Sequence, residues 1–330
     1  MADLRPKRIA EFIAPYRFEA GAKVRLRDFP TGAPGYDRGD AKEILQAGVE
    51  LLAEYQARLA AQDTYGVLVI LQAMDAAGKD GTIRHVMSGV NPQGVEVHSF
   101  KVPSSEDLDH DYLWRYSRRL PSRGSIGIFN RSYYEEVLVV RVHPQLLQNQ
   151  KLPPHLQGPD IWKRRFREIN DWERYLSDQG FKIVKIFLNL SNEEQRRRFL
   201  ARIDEPEKNW KFNPGDARER AHWDEYQKAY SEVLANTSTT WAPWYVVPAD
   251  DKPFARLVAA GAIAHALIEI DPHYPDVTAE TRAELDLARA ELLAQAPDGA
   301  PADPNVDPAG DSAHHRRGRK DRTKAKAKHK

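Results

Sequence analysis

Residues 65–82 read Y-G-V-L-V-I-L-Q-A-M-D-A-A-G-K-D-G-T, and this stretch decides the fold. An apolar run at 67–71 stops at small residues, Gly78-Lys79 follows, and a helical pattern begins at Gly81. This order predicts a strand, a phosphate-binding loop and a helix, because loop amides and a helix N-terminus bind anions and a lysine adds a full charge. For a Gly-Lys pair taken alone, a plain turn between strand and helix is an equal alternative.

The loop departs from the common P-loop pattern, G-x-x-x-x-G-K-[ST], at two positions. Ala73 stands at the first glycine position, and Asp80 stands where a magnesium-binding serine or threonine is expected. Asp75 lies inside the loop, where a carboxylate beside bound phosphate is repulsive unless a cation lies between them. We therefore expect Asp75 to be a magnesium ligand that replaces the missing hydroxyl.

The composition is that of a globular protein. The chain has 330 residues, 41% of them hydrophobic, which is enough for one large domain or two small ones. No apolar run is long enough to span a membrane, and the N-terminus is no signal peptide. The absence of cysteine excludes disulfides, zinc-thiolate sites and cysteine nucleophiles, and it fits a reducing cytoplasm.

The net charge of +1 hides an uneven distribution. Residues 316–330 contain nine Lys or Arg and one Asp, about +8, which leaves about −7 for residues 1–315. A phosphate-binding basic patch in this acidic body must therefore be local. The basic tail could bind any polyanion in a salt-dependent manner, or could simply aid solubility.

Strand and helix patterns alternate along residues 41–272, the predicted P-loop catalytic domain. They predict an α/β fold, a three-layer sandwich with a mainly parallel sheet and helices on both faces. Residues 1–40, rich in Pro, Gly, Arg and Asp, are predicted to form an extended N-terminal arm over the surface. Residues 273–296 predict one more helix, and residues 297–330 a disordered basic tail.

Local patterns give approximate bounds for the elements of the body. A capping box that begins at Ser104 predicts a helix whose apolar face continues to Tyr116. Short apolar runs predict further strands at 95–100, 125–129, 183–188 and 244–248. Apolar spacing and caps predict further helices at 41–62, 159–179 and 253–269. Two more are predicted between these, one that begins after Ser191 and one that ends at about Leu234.

Polar residues follow two of the predicted strands at their carboxyl ends. Asp75 and Lys79 follow the first strand, and Asn130-Arg131 follow the strand at 125–129. In open parallel α/β sheets ligands bind outside the carboxyl ends of strands, so we expect these side chains in one crevice. Taken alone, Arg131 could also be a surface residue after a strand.

The helix predicted after Ser191 carries two arginines that suit phosphoryl transfer. Arg198 and Arg202 are four positions apart, and so lie on one face, before an irregular segment at 204–216. Nucleotide kinases keep a mobile lid at such a place, and its arginines can close onto the transferring phosphate and exclude water. An arginine run by itself is more often a solvated helix face, so the combination of features carries the prediction.

Four blocks of sequence together resemble the polyphosphate kinase 2 family. In order, within about residues 10–272, they are A-M-D-A-A-G-K-D-G-T-I, S-F-K-V-P-S, F-N-R-S-Y-Y-E-E-V-L-V-V-R-V-H-P and E-Q-R-R-R-F-L-A-R-I-D-x-P-x-K-x-W-K-F. The resemblance implies a P-loop kinase fold similar to thymidylate kinase, with a helical lid at about residues 191–222. It also implies phosphate transfer between inorganic polyphosphate and nucleotides with magnesium.

The resemblance, together with the need for a basic track along polyphosphate, assigns roles to residues of this chain. The predicted catalytic residues are Asp75, Lys79, Arg131, Glu135, Arg198 and Arg202. The predicted phosphate- and nucleotide-binding residues are Ala76, Ala77, Gly78, Lys79, Asp80, Gly81, Thr82, Arg84, Lys101, Asn130 and Tyr134. Asn130 stands where many relatives have Asp, so the expected ligand for Mg²⁺, with Mn²⁺ as a substitute, is Asp75 alone.

The run from Asn130 to His143 resembles the branch of the family that accepts AMP as well as ADP. Glu135 lies where single-step relatives have a neutral residue, which makes it the candidate for acceptor selection. A nucleotide's terminal phosphate is largely ionised at neutral pH, so positioning and electrostatics suffice and no strong general base is required. The charged polyphosphate chain needs a basic track, for which arginine is suited by its bidentate contacts.

We therefore predict a cytoplasmic enzyme that moves the terminal phosphate of polyphosphate to AMP and ADP, giving ADP and ATP. Three alternatives stay open: a single-step polyphosphate enzyme, an ATP-dependent nucleotide kinase of the same fold, and a nucleic-acid-binding protein that acts through the basic tail. The resemblance suggests a homo-oligomer, a dimer or a tetramer built from dimers. No membrane partner is expected, and nucleic acid is not the expected partner.

Overall fold

The computed structural model describes residues 5–18, 24–33, 38–297 and 303, and gives the backbone alone for 38–47. The chain divides after Tyr274 into two compact units. The second unit contributes a helix at Ala279–Ala294, whose N-terminus is capped by the Thr278 hydroxyl. The basic segment 316–330 lies outside the described residues.

The first unit is built on a six-stranded sheet with the strand order β1-β6-β5-β2-β4-β3. The strands are β1 Arg17–Phe18, β2 Gly66–Ala73, β3 Val95–Ser99, β4 Ile126–Asn130, β5 Phe181–Asn189 and β6 Trp244–Pro248. All neighbouring strands pair in parallel except β1, which runs antiparallel to β6 at one edge. This mainly parallel sheet confirms the predicted α/β class.

Strand β2 lies at the centre of the sheet, and all eight of its residues are buried. A parallel strand covered on both faces must be apolar throughout, which explains the uninterrupted run at 67–71. In the register of the sheet, Leu71 lies opposite Asn130 of β4 and Ile186 of β5. The residues that follow β2 and β4 therefore emerge side by side at one edge of the sheet.

Helices cover both faces of the sheet. The α-helices of this unit are α1 Arg5–Ile13, α2 Arg38–Gln62, α3 Lys79–Val86, α4 Ser105–Leu108, α5 Trp114–Ser117, α6 Val139–Val142, α7 Ile161–Asp178, α8 Asn192–Asp204, α9 Pro214–Glu219, α10 Trp223–Thr237 and α11 Lys252–Ile270. One core packs α2, α3 and α11 against Val67 and Val69, and the other packs α7 and α10 against Leu68 and Ile70. The predicted three layers are present.

Two local predictions are wrong. Residues 5–13 form helix α1 instead of an extended arm, because Ile9, Phe12 and Ile13 share an apolar face that packs on the core. The helix predicted from Ser104 to Tyr116 is broken into α4 and α5, although its capping box is present. The break follows from Asp111, whose side chain accepts a hydrogen bond from the backbone N–H of Leu113 and so competes with helical pairing.

Helix α11 corrects the expectation that no segment has the length and apolar character of a membrane span. By length and composition it could cross a membrane, but 67% of that stretch is buried inside the protein. Its neighbours are the sheet and helix α2, and it supplies much of one core. Burial of this kind is typical of the core helix of a globular protein.

Candidate functional site: the P-loop crevice

The loop after β2 has the backbone shape of an anion-binding turn. Ala76 and Gly78 have φ angles of 62° and 106°, in the left-handed region, and α3 begins at the next residue. Glycine adopts this conformation without a Cβ penalty, whereas Ala76 is strained there. A strained residue at a loop between strand and helix is typical of a functional turn, and the N-terminus of α3 opens into it.

Lys79 bends back over the loop that precedes it. Its Nζ donates to the carbonyl oxygens of Ala73, at 2.8 Å, and Met74, at 3.5 Å. An ammonium group has three protons, so one donor is available in this crevice. Burial, and then the nearby Arg131 guanidinium, hold the pKa of Lys79 below its ordinary value, while the Asp75 carboxylate opposes them.

Arg131 meets the loop from the end of β4. Its φ of 64° is also left-handed, and its backbone N–H donates to the Leu71 carbonyl of β2 at 3.1 Å. This backbone turns the side chain toward the P-loop, where Nη2 lies 3.1 Å from Asp75 Oδ1. The guanidinium stays 42% exposed and the carboxylate 30% exposed. The sequence prediction of one shared crevice for these residues is therefore confirmed.

Asn130 fixes the first turn of α3. Its Nδ2 donates to Asp80 Oδ1 at 2.6 Å, and only 8% of Asn130 is exposed. Asp80 is itself exposed and lies one residue after Lys79. Asn130 therefore positions the start of α3 by its hydrogen bond to the Asp80 carboxylate.

The carboxylates of the loop fit a magnesium ion shared with substrate. Among the described residues, no group of three or more His, Asp or Glu side chains is placed to hold a metal ion. Mg²⁺ usually keeps several waters and takes one or two carboxylates together with substrate phosphates. Asp75 and Asp80 are two such carboxylates beside the anion-binding turn, so this donor set suits a phosphate-bound ion.

Glu135 lines the same crevice from the turn that follows β4. Its Oε1 accepts a hydrogen bond of 3.1 Å from Nε2 of Gln72, the penultimate residue of β2. Gln72 is fully buried, and its Oε1 has no hydrogen-bond partner among the described residues. The carboxylate of Glu135 therefore lies near Arg131, and one buried amide fixes its position.

The structure corrects the expected role of Arg198. Its guanidinium is 7% exposed and donates to the carbonyls of Ala76 and Ala77 through Nη1 and of Ala249 and Asp250 through Nη2. These bonds occupy the side chain behind the loop, so it does not point freely at a substrate. Arg198 holds the shape of the P-loop from outside the crevice.

Arg202 lies near the end of α8 and pairs with Asp216, a carboxylate that lines the crevice. Its Nη1 lies 3.5 Å from Asp216 Oδ2, and both side chains are about one quarter exposed. Burial and the neighbouring Asp75 carboxylate raise the pKa of Asp216, against the opposing effect of Arg202. An arginine paired on its own side of the crevice can exchange that carboxylate for a phosphate.

The crevice also contains residues that were not predicted from the sequence to belong to the site. A cavity of about 50 Å³ lies between the loop and residues 195–230, and its lining includes Asp75, Arg131, Glu135, Gln195, Asp216 and Glu219. Gln195 Nε2 donates to the Asp75 carbonyl at 3.0 Å, while its Oε1 accepts from Arg220 Nη1 at 2.7 Å. Gln195 lies three residues before Arg198, so the two side chains share one face of α8. This spacing could have predicted that Gln195 also faces the loop.

The remaining predicted residues divide into three groups. Gly81 borders the loop, and Thr82 is buried in the first turn of α3. Arg84 and Lys101 are exposed and stand outside the contacts described above. Tyr134 is wrong as a nucleotide contact, because it is fully buried and its hydroxyl donates to Glu173.

A central parallel sheet, an anion-binding turn at its carboxyl edge, and lysine and arginine converging there define a P-loop phosphotransferase. The family follows from comparison with known proteins. Residues 36–275 match the family model described as polyphosphate kinase 2. The chain belongs to the polyphosphate kinase 2 family.

Individual relatives cover most of this chain. It is 51% identical to an ADP-polyphosphate phosphotransferase of Rhodopseudomonas palustris, over 84% of this chain and 97% of that protein. It is 42% identical to an AMP/ADP-polyphosphate phosphotransferase of Meiothermus ruber, over 79% and 94%. The crystal structure of polyphosphate kinase 2 from Arthrobacter aurescens TC1 superposes with a TM-score of 0.76 at 39% identity, covering 85% of this chain and 96% of that one.

Proposed function

We propose that this protein transfers the terminal phosphate of inorganic polyphosphate to AMP and ADP, giving ADP and ATP. The observation that carries the proposal is the meeting of Lys79 and the Arg131–Asp75 pair at the anion-binding turn, in a chain of this family. A second candidate, transfer to ADP alone, is favoured by the relative that is 51% identical and carries the name ADP-polyphosphate phosphotransferase.

The reaction is an in-line displacement at phosphorus. An oxygen of the acceptor's terminal phosphate attacks the last phosphorus of the polyphosphate chain, and the bond to the bridging oxygen breaks. The chain leaves one phosphate shorter, with the electron pair and negative charge on that bridging oxygen. Because the attacking oxygen is already ionised at neutral pH, no side chain has to remove a proton, and the protein's task is positioning and charge stabilisation.

The residues of the crevice divide this task. Lys79 and the loop amides neutralise charge on the transferring phosphate, and Arg131 contacts the acceptor or the transferring group. Asp75, assisted by Asp80, would hold Mg²⁺, or Mn²⁺ in its place, which supplies further charge neutralisation between phosphate oxygens. Arg202 exchanges Asp216 for phosphate when residues 191–222, the proposed lid, close.

Glu135 is the residue we propose for acceptor selection. Its carboxylate lies in the cavity with Arg131, so it changes how much positive charge the acceptor phosphates meet. AMP and ADP differ by one phosphate, and a fixed carboxylate at this position disfavours the more highly charged acceptor. Gln72 holds that carboxylate in place.

The proposal also covers the location, assembly and domain organisation of the enzyme. The enzyme works in the cytoplasm, forms a homo-oligomer and requires neither a membrane nor nucleic acid. The catalytic domain comprises residues 41–272, followed by the C-terminal helix. The basic tail after residue 297 raises affinity for long polyphosphate at most, so removing it leaves turnover intact.

The test uses purified protein, Mg²⁺, AMP and long-chain polyphosphate without ATP, with the nucleotides followed by chromatography. ADP followed by ATP is the expected result. With ADP supplied as the only nucleotide, ATP must also form. Formation of ATP from ADP but no product from AMP would select the second candidate, and no product from either acceptor would refute both.

A further inference from the structure

Two buried side chains of helix α8 contact the backbone of the P-loop. Gln195 Nε2 donates to the carbonyl oxygen of Asp75 at 3.0 Å. Arg198 Nη1 donates to the carbonyl oxygens of Ala76, at 3.1 Å, and Ala77, at 2.8 Å. The role of Arg198 in shaping the loop is described above, whereas the proposed chemistry gives Gln195 no role.

These hydrogen bonds fall on the two peptide groups that flank Ala76. The carbonyl of Asp75 belongs to the peptide group before Ala76, and the carbonyl of Ala76 belongs to the peptide group after it. The φ and ψ angles of a residue are rotations of these two planar groups about its Cα atom. Gln195 and Arg198 together therefore fix the backbone of Ala76, the residue with a φ of 62°.

Ala76 requires such support because its backbone is strained. A side chain with a Cβ atom is disfavoured at a left-handed φ, and rotation of the preceding peptide group would relieve that strain. The same rotation would move the Asp75 carbonyl away from Gln195. It would leave the amide of Gln195, which is only 2% exposed, without this acceptor, and a buried donor without an acceptor is costly. Gln195 thus opposes the relaxation of the loop.

Arg220 determines which way the Gln195 amide faces. Its Nη1 donates to Gln195 Oε1 at 2.7 Å, and its Nη2 donates to Asn192 Oδ1 at 2.6 Å. Because the guanidinium only donates, it binds the oxygen of the amide and leaves the NH₂ group for the Asp75 carbonyl. A reversed amide would set donor against donor at Arg220 and oxygen against oxygen at Asp75.

The orientation of the Asp75–Ala76 peptide group matters for an anion at the loop. The C=O and N–H of a trans peptide point in opposite directions. Since the Asp75 carbonyl points at α8, the Ala76 N–H points away from that helix. Successive N–H groups around a left-handed residue form the concave surface that binds anions, so rotation of this peptide group would remove one of its donors.

We propose that Gln195 is a positioning residue for phosphate binding and transfer. Its amide, oriented by Arg220, holds the Asp75–Ala76 peptide group against the strain of Ala76 and keeps the Ala76 N–H in the anion-binding turn. The inference rests on the proposed function, in which this turn binds the transferring phosphate. It makes the shape of the P-loop depend on Arg220, which directly follows α9.

The first test removes the amide donor. Gln195→Met keeps the length of the side chain, and it should lower both the affinity for inorganic tripolyphosphate and kcat/KM by about tenfold. Gln195→Glu keeps an acceptor for Arg220 but sets an oxygen against the Asp75 carbonyl, so it should lose at least as much. Gln157→Met is the matched control, because this exposed glutamine also donates to a backbone carbonyl, that of Leu152 at 2.7 Å, and should leave both quantities unchanged.

A double-mutant cycle with Ala76→Gly shows whether Gln195 acts on the strained peptide group. Glycine adopts a left-handed φ without a Cβ penalty, so in the Ala76→Gly background the further change Gln195→Met should cost less than about threefold. Equal losses in the two backgrounds would show that Gln195 acts by packing alone. That result, or unchanged tripolyphosphate affinity in Gln195→Met, would overturn the inference.

Calorimetry with inorganic tripolyphosphate and Mg²⁺, without nucleotide, separates this inference from the proposed function. If the wild-type protein forms no product from AMP or ADP, the proposed function fails, but the titrations of the cycle still decide the role of Gln195. Urea unfolding identifies a variant that does not fold. Arg220→Met then replaces Gln195→Met in the cycle, and its loss of tripolyphosphate affinity should likewise shrink in the Ala76→Gly background.

Discussion

Two lysines near the central strands of the same sheet have opposite surroundings. Lys185 of β5 is fully buried, and its Nζ donates to Glu173 Oε2 at 2.6 Å, the Thr237 carbonyl at 2.6 Å and Tyr134 Oη at 2.9 Å. All three of its protons have acceptors. Lys79, the first residue of α3 after the neighbouring strand β2, has backbone carbonyl acceptors for two protons and opens into a crevice.

We propose that the difference separates a charge that serves the fold from a charge that serves chemistry. The Lys185–Glu173 pair is complete, because the Tyr133 and Tyr134 hydroxyls also donate to Glu173 Oε1, at 2.7 and 2.8 Å. A complete buried network leaves nothing for a ligand to gain. Lys79 has carbonyl acceptors for only two of its three ammonium protons among the described residues, so a bound phosphate would accept the third and also balance its charge.

The largest effect should come from breaking the complete pair. Lys185→Met leaves Glu173 as a buried carboxylate without a cation, and we expect the free energy of unfolding to fall by about 3–5 kcal/mol. Urea unfolding measures this. Lys182→Met is the control, because Lys182 on the same strand forms a half-exposed pair with Glu269, and it should change stability by less than about 1 kcal/mol. Equal losses in the two variants would show that burial does not distinguish these lysines.

The next largest effect should be the loss of turnover when a cation of the crevice is removed. Lys79→Ala and Arg131→Ala should each lower turnover by about a hundredfold or more, because both cations act on charge that develops in the transition state. Their urea unfolding curves should match the wild type, in contrast to Lys185→Met. Lys163→Ala, an exposed lysine of α7, should leave both quantities unchanged. Near-normal turnover in either crevice variant would place the reaction elsewhere.

A third prediction tests whether a buried charge can also serve the site indirectly. Arg198→Met removes the bonds that hold Ala76 and Ala77, so kcat/KM should fall by about tenfold to a hundredfold through a displaced loop. Arg197→Met is the matched control, since this neighbour is 67% exposed and shares the partner Glu194 with Arg198, so the variants differ in the bonds to Ala76 and Ala77. If the two variants have the same kcat/KM, the loop does not depend on Arg198.

The smallest effect concerns pH. In the proposed mechanism catalysis uses the protonated form of Lys79, and burial together with Arg131 lowers the pKa of Lys79 below the ordinary 10.5. As pH rises through that lowered pKa, kcat/KM should fall earlier than for an ordinary lysine. Lys79→Arg keeps its charge, so it should remove this alkaline fall, although the larger guanidinium lowers kcat/KM at pH 7.5. A pH profile between 7 and 10.5 measures both, and an identical alkaline fall in the variant would contradict the assignment.

Much of this arrangement can be predicted from the sequence, because strong local signals coincide. The apolar run of β2, the small residues after it and the Gly-Lys pair together specify strand, loop and helix. The convergence of Asp75 and Arg131 follows from a general rule of parallel sheets, which places the carboxyl ends of neighbouring strands together. These predictions depend on local pattern and on topology.

The parts that failed depend on long-range packing. Arg196, Arg197 and Arg198 look equivalent in sequence, yet the first two side chains are more than half exposed and only the third turns inward to the loop. Tyr134 was predicted to contact the nucleotide, but a partner 39 residues away, Glu173, holds it in the core. Contacts of this kind depend on which face of an element the rest of the chain covers.

The bonds of Arg198 have a consequence for the order in which the protein matures during synthesis. They join the loop at Ala76 and Ala77 to Ala249 and Asp250, which follow β6. Strand β2 itself pairs with β5, more than a hundred residues later in the chain. A nascent chain that ends before residue 249 therefore lacks the carbonyl groups that hold Arg198 against the loop, however well its first helices have formed. The phosphate-binding element is translated early, but it can acquire its shape only when most of the first unit has left the ribosome.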